Sequence, residues 1–358
     1  GETVCIEAWG KDALRVRATK NRSFTGRDWA LEAKDAHAGE VEIFEDPSAK
    51  GGAFANMYEG TDTSYGKITN GKLHAVIDSG SVITFYHEDG RVLLKEHFRR
   101  LRDEESMPLN IMGREYSNGV GDNFRIVARF VARKGEKIFG MGQYQQHELD
   151  LKGCMLELAQ RNSQVSVPFY LSSIGYGFLW NNPGVGQVMF ANNGTEWVTE
   201  SGKEIDYLVI AGDTPAEIEE NYMTLTGKPP MMPEYGMGFW QCKLRYWNQE
   251  QLLSVARKYK ELGVPLDVIV VDFFHWTKQG EFKFDPKYWP DVPGMCRELK
   301  EMGIQVVVSV WPTVDIYSEN FEEMKEKGYL VRTEHGVPLT MLCGGNEVFF
   351  DATNPDAR

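Results

Sequence analysis

Polar and aromatic residues gather at the ends of apolar runs in the last third of the chain. Asp272 closes the run at residues 266–271 and is followed by Phe273 and His275. A carboxylate beside aromatic rings is suited to hold a sugar, because it accepts hydrogen bonds from hydroxyls while a ring covers an apolar C–H face. The same aspartate could instead cap the loop backbone. Asp272 is therefore the leading candidate for a binding residue, with the capping role left open.

Further candidates lie elsewhere in the chain. Trp311 and Trp240 each end an apolar run, where a tryptophan can line a site or pack in a core. Gln143 and His147 belong to a polar and aromatic loop of the first half, which could lean over a site or be solvated. His275 as a metal ligand would need partners at suitable spacing, and none is near. The sequence thus predicts no metal and no cofactor.

The spacing of apolar residues divides the chain into two parts. Up to about residue 212, short runs alternate apolar and polar residues, as at residues 72–77 and 125–131, which is the period of half-buried antiparallel strands. A proline-rich segment at residues 228–233 can continue neither a helix nor a central strand. We therefore predict an antiparallel β-sandwich over residues 1–228 and a second domain over residues 229–358.

Local signals predict a hairpin and a helix in the first domain. Asn70-Gly71 lies between two alternating runs, where a two-residue turn requires positive φ. Thr214 followed by Glu217 forms a capping box, which predicts a helix that ends at Gly227.

The second domain alternates short apolar strands with amphipathic helices. Strands are predicted at residues 236–240, 266–272 and 306–311, and helices after Asn248, at Pro293 and from about residue 318. Continuous apolar runs are typical of strands covered on both faces, so the sheet is parallel, either doubly wound or a (β/α)8 barrel. No glycine-rich nucleotide motif follows a strand, and polar residues stand at the strand ends, which favours the barrel.

Composition excludes several classes of partner. The 358 residues carry 39 basic and 52 acidic side chains, for a net charge of −13, and the basic residues are scattered, so neither nucleic acid nor a membrane is an expected partner. The five cysteines lie far apart without a CxxC motif, which predicts reduced thiols and a cytoplasmic location. Whether the chain forms a homo-oligomer is left open.

Several segments, in this order along residues 138–358, together resemble glycoside hydrolase family 31. They are Gly140-Met141-Gly142-Gln143, Val167-Pro168-Phe169-Tyr170-Leu171, Thr226-Gly227-Lys228-Pro229-Pro230, Val271-Asp272-Phe273-Phe274-His275-Trp276, Phe284-Asp285-Pro286, Trp311-Pro312-Thr313 and Phe350-Asp351-Ala352-Thr353-Asn354-Pro355. The resemblance implies a galactose-mutarotase-like β-sandwich followed by the first part of a (β/α)8 TIM barrel.

The resemblance also implies an activity and roles for individual residues. The family consists mostly of retaining α-glycosidases with a pair of catalytic aspartates. Hydrolysis of terminal α-linked xylose, or next of glucose, from oligosaccharides is the expected reaction. Asp272 matches the family's sugar-binding aspartate, while Phe273 and Trp311 match residues that shape the same subsite. The loop from Gln143 to His147 matches the one that leans towards the leaving group.

The resemblance places both catalytic aspartates outside this sequence. In the family the nucleophile follows the fourth barrel strand, and the acid/base lies further on. We therefore expect the chain, which begins with Gly1 and stops at Arg358, to be a piece of a longer enzyme and to be inactive alone. The alternative is a non-catalytic module that binds carbohydrate or another protein. An exposed edge of the last apolar strand argues against that alternative.

Overall fold

The computed structural model describes residues 1–32, 39–45, 64–78, 81–97, 111–333, 335–341 and 346–358. Contacts divide the chain into two compact units, Gly1–Pro229 and Pro230–Arg358. None of the helices in the described ranges is long and apolar enough to cross a membrane.

The first unit is built from antiparallel strands and one helix. Its elements are β1 Thr3–Ala8, β2 Ala13–Thr19, β3 Glu40–Glu45, β4 Ser64–Asn70, β5 Leu73–Ile77, β6 Ile83–His87, β7 Val92–Lys95, β8 Arg114–Asn118, β9 Phe124–Phe130, β10 Ile138–Gln143, β11 Met155–Leu158, β12 Val165–Ser172, β13 Tyr176–Trp180, β14 Gly186–Ala191, β15 Gly194–Gly202, β16 Ile205–Ala211 and α1 Pro215–Thr226. The strands form sheets in the orders β1-β2-β16-β13-β12-β10, β11-β14-β15-β9-β8 and β3-β4-β5-β6-β7. Period-two runs have therefore folded as predicted, into antiparallel sheets.

Turn chemistry sets the register of the β4–β5 hairpin. Asn70 pairs with Leu73, so the two-residue loop is Gly71-Lys72. Gly71 has φ of +56° and lies against Asp12, whose Oδ1 would be 2.0 Å from an added Cβ. The predicted hairpin is confirmed with its loop one residue later, because glycine is needed both for the positive φ and for the close approach.

Stacked aromatic rings from the six-stranded sheet and the β9-containing sheet fill the space between them. Phe178 of β13 stacks on Trp197 of β15 with ring centroids 5.1 Å apart, and Trp180 lies 5.6 Å from the same indole at 24°. All three side chains are at most 1% exposed. Each contributes about 1.5–3 kcal/mol by burial, so these rings form the main core of the sandwich.

Helix α1 covers the outer face of the six-stranded sheet. The Oγ1 atom of Thr214 accepts from the backbone N–H of Glu217 at 3.2 Å, as the capping box predicts. Ile218 and Leu225 are both buried against residues of β13 and β16. Gly227 ends the helix with φ of +96°, which a glycine adopts without strain.

The second unit alternates strands and helices. Its elements are β17 Trp240–Gln241, α2 Gln249–Glu261, β18 Val268–Val271, α3 Val292–Glu301, β19 Gln305–Val308, β20 Thr313–Asp315, α4 Phe321–Glu326 and β21 Glu347–Phe349, with short 3-10 helices at Glu234–Met237 and Pro355–Ala357. Strands β17, β18 and β19 form a parallel sheet, whereas β20 and β21 form an antiparallel pair.

Side-chain alternation separates the two faces of the parallel sheet. Ile269 and Val271 of β18 pack in one cluster with Leu252 of α2 and Leu299 of α3. Since successive side chains of a strand point to opposite faces, Val270 and the positions in step with it face away from the helices. In a barrel this second face is the interior, and it leads to Asp272 at the carboxyl end of β18.

Three predicted elements of the second unit are corrected. The strand predicted at residues 236–240 is only Trp240–Gln241, because Pro233 opens a 3-10 turn in which its carbonyl accepts from Gly236. The strand predicted at residues 306–311 is Gln305–Val308, because its partner β18 ends at Val271, which pairs with Val308. Helix α4 begins at Phe321 rather than near residue 318, since residues 313–315 form β20 and a turn follows.

Candidate functional site

Asp272 lies directly after β18 and is half-buried. The Sγ atom of Cys242, just after β17, lies 3.7 Å from its Oδ2 atom and 3.6 Å from the carbonyl oxygen of Lys243, so the single S–H can donate to either acceptor. Burial, together with the negative charge of Asp272, raises the pKa of the Cys242 thiol. The thiol therefore stays protonated at neutral pH, as donation to the carboxylate requires. No donor among the described residues reaches the other carboxylate oxygen, which can therefore accept from a ligand.

Backbone strain turns the chain sharply after Asp272. Phe273 and Phe274 have φ of +44° and +59°, a left-handed conformation that bulky residues adopt only at a cost of about 1–3 kcal/mol each. The turn brings the Phe273 ring to 4.9 Å from the ring of Trp311, at 37°. The two predicted aromatic residues are thus in contact beside the carboxylate, and both are half-buried.

His275 lies behind these rings in an apolar setting. Its side chain is 4% exposed, with ring centroids at 4.7 Å from Trp276 and 4.8 Å from Phe284, and its Nδ1 atom has no hydrogen-bond partner in the described residues. Burial lowers the pKa of His275 against the opposing effect of Asp272. The imidazole is therefore neutral at neutral pH. It borders a cavity of about 180 Å³ that also reaches Trp311.

The loop that carries this cavity is fixed by contacts to β20 and to Asn320. The Gln279 side-chain amide donates to the Thr313 hydroxyl, and the carbonyl of Gly280 accepts from Asn320 at 2.7 Å. Gly280 has φ of +84°, and an added Cβ would lie 2.6 Å from the Cα of Val314. The loop is therefore pre-formed, as precise binding of a small ligand requires.

The structure places Trp240 at the start of β17 rather than at the end of a strand. Trp240 pairs with Val268 at the start of β18, and its indole N–H donates to the carbonyl of Gly236 at 3.1 Å. The Gln241 side chain accepts from Tyr259 of α2, so by alternation Trp240 points to the face opposite the helices. Trp240 thus shares the face of Asp272 but lies at the other end of the strands.

Gln143 and His147 lie in the first unit, and both are exposed. Gln143 ends β10 after a β-bulge in which Gly140, Met141 and Gly142 all have positive φ. An added Cβ on Gly142 would lie 2.2 Å from the carbonyl oxygen of Val165, so only glycine fits there. The Gly-Met-Gly segment thus forms a bulge that sets the direction of the following loop.

Two contributors were missed by reasoning from the sequence. Cys242 contacts Asp272 from the neighbouring strand, and no motif marks that pairing. Gly280 is essential to the loop over β20, and its one sequence signal is a glycine between polar residues. No group of three or more His, Cys, Asp or Glu side chains in the described ranges is placed to hold a metal ion.

The model of the Glycosyl hydrolase 31 N-terminal galactose mutarotase-like domain matches residues 3–188, and that of the Glycosyl hydrolases family 31 TIM-barrel domain matches residues 229–358. The chain belongs to glycosyl hydrolase family 31. The predicted fold class is confirmed: a galactose-mutarotase-like β-sandwich followed by the first part of a (β/α)8 barrel.

Individual relatives and solved structures agree with the family models. The chain is 44% identical over 364 residues to the uncharacterized family 31 glucosidase ORF2 of Pseudescherichia vulneris, covering 99% of this chain and 65% of that protein. It is 30% identical to alpha-xylosidase A of Aspergillus niger, covering all of this chain and 48% of the relative. A GH31 alpha-xylosidase from a soil metagenome, solved with xylose, superposes with a TM-score of 0.88 at 47% identity over all of this chain and 52% of that one. The chain thus spans about half to two thirds of the length of these relatives.

Proposed function

We propose that the protein is a retaining α-glycosidase that removes terminal α-linked xylose, or alternatively glucose, from oligosaccharides. The observation that carries the proposal is the half-buried carboxylate of Asp272 at the carboxyl end of β18, beside the Phe273–Trp311 ring pair. Barrel enzymes bind substrate at this end of their strands. The relatives named alpha-xylosidase support xylose as the first choice.

In this proposal Asp272 accepts hydrogen bonds from sugar hydroxyls, and the thiol of Cys242 donates to its carboxylate. Phe273 and Trp311 cover an apolar face of the sugar ring. His275 borders the neighbouring cavity as a neutral side chain. Trp240 lies on the face of the sheet that forms the barrel interior. These roles rest on the positions of the side chains after each strand and on the resemblance to the family.

The chemistry requires two further carboxyl groups. One attacks the anomeric carbon while the other protonates the departing oxygen, and the second then takes a proton from the water that releases the sugar. We propose that both lie beyond Arg358. The length of the relatives, of which this chain covers 48–65%, supports that assignment.

We also propose domain limits at residues 1–228 and 229–358 and a cytoplasmic location. The division of contacts after Pro229 and the start of the barrel family model at residue 229 support the limits. Among the described residues, the thiols of Cys154, Cys242 and Cys296 are not in disulfides, which supports a reducing compartment.

The activity is tested by hydrolysis of aryl α-xyloside and aryl α-glucoside by the full-length protein. We expect α-xyloside to be hydrolysed with the higher kcat/KM. Asp272→Asn should lower kcat/KM at least about 100-fold, because charge-assisted hydrogen bonds of about 1.5–3 kcal/mol each are lost. Asp356→Asn is the matched control, because it removes the same charge from an exposed carboxylate of the same unit.

Three outcomes would contradict the proposal. A full-length protein that binds saccharides without hydrolysing them is a binding module, the alternative considered from the sequence. Equal losses in the Asp272→Asn and Asp356→Asn variants would remove Asp272 from the site. Turnover by residues 1–358 alone would refute the assignment of the catalytic carboxylates.

A further inference from the structure

The sandwich unit contains a cavity of about 680 Å³ that includes none of the site residues described above. It lies between the segment at residues 21–29 and the ends of β9, β13, β15 and β16. Its walls include Arg22, Phe24, Arg27, Trp29, Asn123 and Asn182. Its volume is in the range of small-ligand sites, about 300–1,000 Å³. We propose that this cavity is a saccharide-binding site. The choice of a saccharide as ligand rests on the proposed function.

Buried charges hold the cavity wall in place. Glu204 is 3% exposed, and its carboxylate accepts from both the backbone N–H and the hydroxyl of Thr25, each at 2.9 Å. The Arg15 guanidinium donates to the carbonyl of Arg27 at 3.1 Å and to Asp28 at 2.7 Å. Asn181 adds a bond to the carbonyl of Asp28 at 3.1 Å. The wall is therefore pre-formed, and a ligand would bind without the cost of ordering it.

Trp29 lines the cavity, and the Arg27 guanidinium lies over its ring at 5.5 Å from the centroid. Trp29 has φ of +52° and remains 42% exposed. A bulky residue in this region costs about 1–3 kcal/mol, which the fixed backbone at Arg27 and Asp28 must offset. An indole kept exposed at such a cost is suited to cover the C–H face of a sugar ring.

The charges of the cavity leave donors free for a ligand. Lys203 is paired with Asp122 at 2.8 Å, and Glu204 is occupied by Thr25. The guanidinium group of Arg22 has no acidic partner in the described residues, and that of Arg27 lies over the Trp29 ring with its edge donors unpaired by any described carboxylate. Arginine offers donors in a planar fork, which suits the adjacent oxygens of a saccharide.

A saccharide fits these features better than a simple anion does. The lining contains three basic and two acidic side chains, so its net charge is only +1. A phosphate site would gain nothing from an exposed indole, whereas an oligosaccharide uses the indole, the guanidinium donors and the volume together. We therefore expect neutral oligosaccharides to bind and inorganic phosphate to bind weakly or not at all.

The test is titration calorimetry of the 358-residue chain carrying Asp272→Asn, with maltotriose, isomaltotriose and xylotriose in turn and with inorganic phosphate as a comparison. At least one trisaccharide should bind. Trp29→Ala should raise the Kd of that trisaccharide about 10-fold or more. Trp29→Phe should raise it less because a ring is kept, and Arg22→Ala should raise it several-fold. Lys134→Ala is the matched control, since this exposed residue of the same unit does not line the cavity.

The proposal is overturned if no trisaccharide binds, if phosphate alone binds, or if Kd is unchanged in Trp29→Phe, Trp29→Ala and Arg22→Ala. Since Arg22 and Trp29 are exposed, these variants are expected to fold. If Trp29→Ala fails to fold, Arg22→Ala still tests the site. Hydrolysis by the full-length enzyme is measured separately. Binding that depends on Trp29 in a protein without glycosidase activity would refute the proposed function but keep this site.

Discussion

Replacing Arg15 by methionine should destabilise the sandwich more than any surface charge change. The Arg15 side chain is 1% exposed and donates to Asp206, itself 0% exposed, at 2.9 and 2.6 Å. It also donates to Asp28 at 2.7 Å and lies over the Trp9 ring at 4.7 Å. Methionine keeps the length and apolar stem but removes every donor. Asp206 would keep Asn181 as its side-chain donor, at 2.8 Å.

The size of the effect follows from the carboxylate that is left buried. Removing one partner of a buried ion pair costs about 3–5 kcal/mol. Burial raises the pKa of Asp206 even with Arg15 beside it, and loss of Arg15 raises it further. Because the folded pKa then lies above the unfolded one, folding of the Arg15→Met variant takes up a proton. Its stability should therefore fall as pH rises through that pKa, and the loss relative to wild type should be larger at pH 8 than at pH 5.

Urea denaturation of the 358-residue chain measures the free energy of unfolding of this unit. Arg17→Met is the control from the same strand, since the Arg17–Glu7 pair is partly exposed at 15% and 21% and should cost less than about 1 kcal/mol. The double variant Arg15→Met with Asp206→Leu should be more stable than Arg15→Met alone. A loss below about 1 kcal/mol for Arg15→Met, or a double variant less stable than the single one, would refute the reasoning.

Three further predictions concern the second unit. Alkylation of Cys242 in the full-length enzyme at alkaline pH, where the thiol with its raised pKa ionises, should inhibit hydrolysis and be slowed by xylose; equal inhibition of a Cys242→Ser enzyme would contradict this, because other exposed thiols would then be responsible. Because burial lowers the folded pKa of His275, stability of this unit should fall as pH drops below about 6.5, and His275→Gln should flatten that dependence in thermal melts. Gly280→Ala should lower the stability of this unit by at least about 2 kcal/mol in those melts. Gly303→Ala should lower it by about 1 kcal/mol, because its φ is also positive but an added Cβ would have no atom within 4 Å.

Local signals predicted those elements whose determinants lie close together in sequence. The period-two runs became β5 and β9, and Thr214 with Glu217 capped α1 as expected. The 3-10 turn at Glu234–Met237 overrode the apolar pattern of residues 236–240, because Pro233 and Gly236 favour a tight turn. The antiparallel pair of β20 and β21 joins segments more than thirty residues apart, which no periodicity reveals.

The candidate site shows the same division. Asp272 and Trp311 could be singled out because each ends an apolar run, and Phe273 because it matches the family at the position after Asp272. The structure brings the two rings into contact. The thiol of Cys242 could not, because it reaches Asp272 only through strand pairing between β17 and β18. The sandwich cavity could not be predicted from the sequence either, since its walls come from segments as far apart as residues 21 and 204.

The stacked indoles of Trp180 and Trp197 give the protein an internal optical signal. At 5.6 Å and 24° their electronic transitions couple, so circular dichroism should contain a paired positive and negative band that vanishes when the rings separate. In the described part of the second unit no two indoles stack, so the band belongs to the sandwich. Unfolding of one unit can therefore be followed by spectroscopy within the intact chain, without labels or cleavage.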